Sequence, residues 1–177
     1  GGTVALNAYE SNTNAASGGA GGALIFNTGS GITAGNFTAA GTYAGGNIGS
    51  NRAGITTAGT TNFTITGSGT GTLVGTSNSN DTPWSVGLYT AGTINLNSGS
   101  GQINLQAPST RYEANLNTNS SGGGAVTLGV ATGSLFQRSG TITAQTGTLN
   151  IVGNSISTYN ATAAIKGSDG TTVNLTA

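Results

Sequence analysis

The chain has 177 residues, and Gly, Thr, Asn and Ser supply 33, 31, 20 and 18 of them. Only 5% are charged, four basic and four acidic for a net charge of zero, and His, Cys and Met are absent. The lack of imidazoles and thiols excludes His- or Cys-ligated metal sites, disulfides, Cys nucleophiles and Ser–His–Asp triads. The sequence therefore indicates no enzymatic activity and no cofactor.

The charge count and the apolar runs also exclude two kinds of partner. Four cations cannot neutralise the roughly 6–10 phosphates of a typical nucleic-acid footprint. The longest apolar stretch, residues 23–26, is far shorter than the roughly 20 residues of a membrane-spanning helix. No positively charged start precedes an apolar segment, so we expect no signal peptide. The start at Gly1 without Met suggests a processed chain or a piece of a longer protein.

Short alternating runs predict strands from the N terminus onward. Val4 and Leu6 alternate with polar or small residues over 3–9, and Phe63 and Ile65 alternate with threonines. This period of two is typical of half-buried strands, with one face in the core and the other in water. Gly, Thr, Asn and Ser are poor residues for helix interiors, so we expect no long helix.

The second half of the chain continues this pattern, with predicted strands starting near 93, 102, 126, 141, 148, 155, 163 and 172. The motif at 92–95 recurs in similar form at 140–143, a spacing of 48 that fits two turns of about 24 residues. The triplet Ala-Gly-Thr at 40–42, 58–60 and 91–93 is spaced by 18 and 33. The repeat is therefore irregular in period. No break in composition marks a boundary, and residues 1–177 are predicted to form a single β-rich domain.

Two all-β architectures fit this pattern. The favoured one is a parallel β-solenoid, or β-helix, in which short strands coil, Asn and Thr stack in ladders along the faces, and Gly permits tight corners. The alternative is an antiparallel sandwich or jelly roll with donor-strand exchange. Its best support is a hairpin formed by 161–166 and 171–177 around Asp169-Gly170. The runs 93–97 and 102–106 fit either a hairpin or a solenoid arc.

Two stretches resemble the rungs of filamentous-haemagglutinin-type bacterial adhesins. Residues 92–107 contain Thr-Ile-Asn-Leu followed by Gln-Ile-Asn-Leu, and residues 140–158 contain Thr-Ile-Thr-Ala, Thr-Leu-Asn-Ile and Ser-Ile-Ser-Thr. The likeness is one of composition and covers about half of the chain. It implies a right-handed parallel β-helix, secretion to the cell surface or beyond, and an adhesive or scaffolding role.

One group of side chains could bind a carbohydrate. Trp84, Tyr89 and Tyr112 could act as stacking platforms, with Arg111 and Glu113 beside them. The interpretation that we prefer is that Trp84 and Tyr89 fill a core or cap an end. Glycosidase chemistry needs two carboxylates close together. The four acidic residues lie in different segments, at Glu10, Asp81, Glu113 and Asp169.

The chain contains six Asn-x-Ser/Thr sequences, in which N-glycosylation attaches sugars to the asparagine. The predicted acceptors are Asn36, Asn62, Asn119, Asn160 and Asn174. The sixth, Asn80, is disfavoured by the nearby Pro83. A chain this rich in Asn, Thr and Ser also generates such triplets by chance.

The sequence predicts a strand at each end of the chain, over residues 3–9 and 171–177. Val4 and Leu6 at one end, and Val173 and Leu175 at the other, project to one face of their strands and are the predicted assembly residues. Soluble proteins usually prevent pairing at exposed sheet edges with Lys, Pro or other charged residues, and this chain has one Lys and two Pro. Its neutral surface also provides little electrostatic repulsion between copies. A head-to-tail contact that does not close gives a fibre.

The sequence therefore favours a structural, non-enzymatic, extracellular protein. It would self-assemble into a homopolymeric filament or matrix, or form part of an adhesin stalk. A carbohydrate-binding adhesive module with surface glycans as partners is the alternative.

We expect stability and assembly to be nearly insensitive to salt and to pH between about 5 and 9. The chain has few charges to screen, and neither His nor Cys titrates in that range. Thermal unfolding across pH and salt series checks this. A midpoint that moves by tens of degrees would contradict it and would indicate a bound ion or ligand.

Overall fold

The computed structural model describes residues 2–11, 21–44, 52–77, 85–160 and 162–177, and these contain nineteen strands and no helix. The strands of the N-terminal half are β1 (Thr3–Glu10), β2 (Gly21–Phe26), β3 (Gly31–Ala34), β4 (Asn36–Tyr43), β5 (Arg52–Thr57), β6 (Thr61–Ile65), β7 (Thr70–Ser77), β8 (Ser85–Thr90) and β9 (Ile94–Gly99). Those of the C-terminal half are β10 (Gln102–Gln106), β11 (Ser109–Tyr112), β12 (Leu116–Ser120), β13 (Ala125–Leu128), β14 (Ser134–Gln137), β15 (Thr141–Thr146), β16 (Thr148–Val152), β17 (Ser155–Thr158), β18 (Ala164–Gly167) and β19 (Thr172–Thr176).

The strands form three parallel sheets, and each strand pairs with the strand three places further along the chain. Sheet A has the order β1-β4-β7-β10-β13-β16-β19, sheet B the order β17-β14-β11-β8-β5-β2, and sheet C the order β18-β15-β12-β9-β6-β3. Three successive strands, one in each sheet, make one coil that stacks on the next. This confirms the parallel β-solenoid.

The antiparallel sandwich is wrong, and so is the hairpin that supported it. Strand β18 lies in sheet C and β19 in sheet A, and each pairs in parallel with a strand of the preceding coil. Asp169-Gly170 forms a turn between two sheets, with Gly170 at a φ of +77°. The runs 93–97 and 102–106 are likewise an arc, since β9 and β10 lie in different sheets.

The coil length changes along the solenoid, which explains the irregular repeat. Thr3 pairs with Asn36, a spacing of 33, whereas Ile103 pairs with Val126, a spacing of 23. The related motifs at 92–95 and 140–143 lie two coils apart, because Leu116 pairs with both Ile94 and Ile142. Two of the three Ala-Gly-Thr triplets, at 58–60 and 91–93, lie one coil apart.

The hydrophobic core consists of columns that run along the solenoid axis. One column in sheet A contains Leu73, Leu105, Leu128 and Ile151, which are at most 1% exposed. Sheets B and C contribute similar columns to the same core. Because parallel strands align in register, each apolar side chain packs against the equivalent side chain of the neighbouring coils.

Sheets A and B make direct backbone contact in the N-terminal coils. A Cβ atom on Gly75 of β7 would lie 2.0 Å from the carbonyl oxygen of Gly87 in β8, and one on Gly41 of β4 would lie 2.0 Å from that of Gly54 in β5. Only glycine permits this approach. In β5 and β8, residues 53–57 and 86–90 are all buried.

The substitution Gly75→Ala tests this contact. We expect it to lower the free energy of unfolding by about 2 kcal/mol, because the new methyl group overpacks a site bounded by backbone. Gly2→Ala is the matched control, since a Cβ there meets nothing within 4 Å. Thermal unfolding of both variants gives the comparison. Equal melting temperatures would show that the two sheets can separate at no cost.

Candidate functional site

Aromatic and charged side chains converge on the outer face of sheet B. In the register of the sheet, Arg111 of β11 lies between Tyr89 of β8 and Phe136 of β14. The residues that follow the ends of successive strands form a second column beside this one. We call the whole group the aromatic–arginine cluster, and its members are Tyr89, Arg111, Glu113, Phe136, Arg138 and Tyr159.

Glu113 is the centre of the cluster. Tyr89 Oη donates a hydrogen bond of 2.7 Å to Glu113 Oε2, and Arg138 Nη1 donates one of 2.8 Å to Oε1. Arg111 Nη2 forms an ion pair with the same Oε1, and its guanidinium carbon lies 5.6 Å from the centre of the Tyr89 ring. Both carboxylate oxygens of Glu113 therefore accept hydrogen bonds. Through them Glu113 links Tyr89, Arg111 and Arg138, which come from three successive coils.

Burial and hydrogen bonding together decide the protonation of Glu113 and Tyr89. Burial alone would raise the pKa of the Glu113 carboxyl, but hydrogen bonds from Tyr89, Arg138 and Arg111 and the charge of Arg111 hold it below its ordinary value. Burial, together with the hydrogen bond to Glu113, raises the pKa of Tyr89 to about 12. At neutral pH the cluster thus holds one carboxylate, two guanidinium groups and a neutral phenol.

The cluster has a buried part and an exposed part. Arg111 and Tyr89 are 2% and 4% exposed, whereas the side chain of Arg138 is 40% exposed. Phe136 is half-buried and meets Tyr159 edge to face, with ring centres 5.8 Å apart and an angle of 62° between the ring planes. Tyr159 is 72% exposed. The exposed part is therefore an aromatic pair beside an arginine.

The aromatic residues singled out from the sequence do not form this surface. Tyr112 is fully buried on the inner face of sheet B, where burial raises its pKa, and Tyr89 is also buried. Trp84 and Asp81 lie outside the described residues. Arg111 and Glu113 do lie together with Tyr89, as expected. Sequence reasoning missed the following residues of the cluster: Phe136, Arg138 and Tyr159.

The spacing of coils would have revealed these residues. The amides of Glu113, Arg138 and Tyr159 each donate to the strand one coil earlier, to Thr90, Tyr112 and Gln137 respectively. They therefore occupy equivalent positions in successive coils. Once the C-terminal coil length is known, the three side chains fall into one column.

The predicted assembly residues are the first and last members of two core columns. Val4 stacks on Phe37, and Leu6 on Ala39, at the N-terminal end; Val173 stacks on Leu149, and Leu175 on Ile151, at the C-terminal end. Leu6 is 37% exposed and Leu175 is 59% exposed, whereas both of their stacking partners are fully buried. Among the described residues, each end of the solenoid therefore presents partly exposed core residues and three strands that pair on one side only.

Polar ladders run along the outer faces, as the sequence predicted. On sheet C, Asn95 Nδ2 donates to Asn62 Oδ1 at 2.8 Å, and Asn117 Nδ2 donates to Asn95 Oδ1 at 2.9 Å. On sheet A, Asn174 Nδ2 donates to Asn150 Oδ1 at 2.8 Å. These hydrogen bonds join coils side chain to side chain, in addition to the backbone pairing.

The predicted glycosylation acceptors differ in how their side chains are used. Asn119 Nδ2 donates to both Asn97 and Gln145, and the side chain of Asn36 accepts a hydrogen bond from the backbone of Thr70. Asn62 and Asn174 belong to the ladders, and Asn160 is exposed. A sugar on Asn119 would replace one of the two Nδ2 hydrogens and so remove at least one of these hydrogen bonds. Asn160 is therefore the acceptor that fits modification best.

Comparison with known proteins finds no match to this chain among protein-family models, curated proteins or solved structures. Within the described ranges, no helix is long and apolar enough to cross a membrane. The same residues contain no group of three or more acidic side chains that could hold a metal ion.

The substitution Glu113→Gln tests the electrostatics of the cluster. We expect the free energy of unfolding at pH 7 to fall by about 2 kcal/mol, less than for a fully buried ion pair because Glu113 keeps some exposure. Asp169→Asn, in an exposed turn, is the control and should change stability by no more than about 0.5 kcal/mol.

The pH dependence gives a second measurement of the same variant. Because the pKa of Glu113 is lowered, its contribution to stability is present above the ordinary value of 4.5 and is lost as the pH falls below it. Because the pKa of Tyr89 is raised, its contribution is present below pH 10 and is lost as the pH rises from 10 towards about 12. An acid limb equally steep in wild type and Glu113→Gln would contradict this assignment.

Proposed function

We propose that this chain is a structural, non-enzymatic protein that assembles end to end, as a filament, a matrix or a segment of an adhesin stalk. The observation that carries the proposal is the open construction of both ends. At the N-terminal end, strands β1, β2 and β3 are the last strands of their sheets, and at the C-terminal end β19, β17 and β18 are. No described residue pairs with their outer edges.

The two ends have matching directions. Every sheet is parallel throughout, so β19 of one copy can pair with β1 of the next as β19 pairs with β16 within the chain. The same holds for β17 with β2 and for β18 with β3. Such a contact continues all three sheets and the core columns without reversing any strand. Because each copy uses its C-terminal end to bind the N-terminal end of the next, repeated contacts give an open fibre rather than a closed dimer.

Apolar burial and backbone pairing would stabilise this contact. Leu6 and Leu175 are the exposed ends of one core column, and Val4 and Val173 are the ends of another. Burial of a Val or Leu side chain contributes roughly 1.5–3 kcal/mol. The low charge of the chain leaves little repulsion between copies. The proposed location, extracellular or at the cell surface, is supported by the resemblance to secreted adhesins.

Two charged variants test the end contact. Leu6→Asp places an unpaired carboxylate in the N-terminal end, and Leu175→Asp does the same at the C-terminal end. We expect each to fold and to remain monomeric in sedimentation velocity, while the wild type forms fibres in negative-stain microscopy. Deletion of residues 1–9 should also abolish polymerisation. The matched control is Ala5→Asp, on the exposed outer face of the same strand β1.

Mixing the two variants separates end stacking from other modes of association. Each retains one intact end, and these two ends are complementary, so an equimolar mixture should form a dimer that grows no further. Fibres of unchanged width from Leu6→Asp alone, or from the chain without residues 1–9, would show that the N-terminal strand is not the joint. Association would then be better explained by lateral pairing of sheet edges, or the chain would be a segment of a continuous adhesin stalk that does not polymerise through its ends.

A further inference from the structure

We infer that a polar groove at the corner between sheets C and A is a binding site for a neutral saccharide. The groove encloses about 160 Å³, and its lining residues come from three successive coils: Asn97, Gly99, Asn119, Ser120, Ser121 and Thr146. They belong to β9, β12 and β15 or follow these strands directly, and none of the three is the first or last strand of sheet C. The inference therefore goes beyond the proposed structural function and does not depend on end-to-end assembly.

The groove lies where the corner between the two sheets changes in length. Residues 121–124 connect β12 to β13, whereas Gly147 alone connects β15 to β16 in the next coil. Gly147 has a φ of +72°, and a Cβ atom there would lie 2.1 Å from Ser120 Oγ, so only glycine permits this tight corner. Residues 121–123 of the longer corner are exposed. The groove follows the step between the long corner and the short one.

Two β-bulges change the strand pairing at the same place. The register between β9 and β12 shifts between Asn119 and Ser120, which leaves Ser98 of β9 as an extra residue. The register between β12 and β15 shifts between Thr118 and Asn119, which leaves Gln145 of β15 as an extra residue. Bulges turn side chains out of the regular alternation and are frequent beside active sites. Asn119 therefore lies between two irregular pairings, at the groove itself.

The amide of Asn119 is held in a fixed orientation. Its Nδ2 donates to Asn97 Oδ1 at 3.0 Å and to Gln145 Oε1 at 2.9 Å, so both amide hydrogens are in use. No described residue donates to Asn119 Oδ1, which leaves this oxygen as an acceptor for a ligand. Asn97 Nδ2 donates one hydrogen to Thr64 Oγ1 at 3.4 Å and keeps its second hydrogen for a ligand. Because the ladder already orders these amides, little further entropy is lost on binding.

These groups match the hydroxyl groups of a sugar ring. A hydroxyl both donates and accepts, so one can donate to Asn119 Oδ1 while its neighbour on the ring accepts from Asn97 Nδ2. The hydroxyl groups of Ser121 and Thr146, both exposed residues, belong to the same groove.

Charge and size narrow the class of ligand. None of the lining residues is charged, so an ionic ligand would lose hydration at the groove without gaining a counter-charge. The volume is below the roughly 300–1,000 Å³ of pockets that enclose drug-sized ligands. The groove therefore suits one ring of a neutral saccharide.

The experiment titrates the methyl glycosides of glucose, mannose and galactose into the ¹⁵N-labelled, monomeric Leu6→Asp variant and follows side-chain amide signals by NMR. We expect at least one glycoside to shift the Nδ2 signals of Asn97 and Asn119 saturably, with a Kd on the order of 10 mM or tighter. The methyl uronide of the same sugar should bind at least about threefold more weakly, because its carboxylate finds no counter-charge. Acetyl-tetraglycine amide, a neutral peptide, should give no saturable shift. If the wild type is itself monomeric, the same titration applies to it, so failure of assembly and failure of this site are separate results.

Two substitutions on one strand assign the site. Asn119→Leu removes the amide from the groove and should weaken glycoside binding at least about tenfold. Asn117→Leu is the matched control, because Asn117 lies on the same strand and donates a ladder hydrogen bond of 2.9 Å to Asn95 Oδ1, outside the groove. It should leave the affinity within about twofold of the parent. Ser121→Ala disturbs no ladder and should weaken binding about threefold, which tests the site even if Asn119→Leu does not fold.

Four results would overturn the inference. The first is the absence of a saturable shift with all three glycosides. The second is equal weakening in Asn119→Leu and Asn117→Leu, or unchanged binding in Ser121→Ala, since the groove would then have no special part. The third is a uronide that binds as tightly as the glycoside, which would remove the neutral class. The fourth is equal binding of acetyl-tetraglycine amide, which would reassign the groove to peptides.

Discussion

Parallel stacking of coils is the constraint on which the rest of this structure depends. Each strand pairs with the strands one coil before and one coil after it, so the neighbours of a side chain are set by the coil length and not by the local sequence. A residue therefore has to suit the residues above and below it in its column. Leucines and isoleucines meet the same types inside, and asparagines meet asparagines outside.

This constraint leaves the connections between strands free to vary. The coil length falls from 33 residues near the N terminus to 23 in the C-terminal half, while the inward-facing residues of sheet A stay in register. The longer coils include eight-residue strands in sheet A, β4 and β7, whose ends run against β5 and β8 through glycine contacts. Extra length is thus added beside the core without interrupting its columns.

The same arrangement accounts for the proposed end-to-end assembly and for the aromatic–arginine cluster. A stack of parallel coils has no intrinsic end, so its first and last coils present backbone edges and apolar columns. Its flanks, by contrast, repeat the same positions at every coil, so side chains far apart in sequence can be brought into one column. The ends suit assembly, and the flank of sheet B brings an aromatic pair and two arginines together around Glu113.

Alternation and composition were enough to predict much of the fold. The predicted strand starts near 93, 102, 126, 141, 148, 155, 163 and 172 agree with strands that start within a residue of those positions, because period-two burial is a local property. The Asn ladders were also predictable, since amide side chains at equivalent outer positions can hydrogen-bond along a stack. The placement of Val4, Leu6, Val173 and Leu175 on the inner faces of their strands followed from the same alternation.

By itself, the sequence determined that the chain is all β, that its strands are short, and which side chains face inward in the strands with a clear alternation. It did not predict β11, β12 or β14, which lack that alternation. Only the tertiary structure decided which strands pair, because pairing partners lie one coil apart and the coil length varies. That is why the Asp169-Gly170 signal was misleading: it specifies a turn correctly but says nothing about the sheet that the chain enters next. It is also why sequence reasoning missed Phe136, Arg138 and Tyr159. Each lies at least 21 positions along the chain from the cluster members of the preceding coil, and stacking alone brings them together.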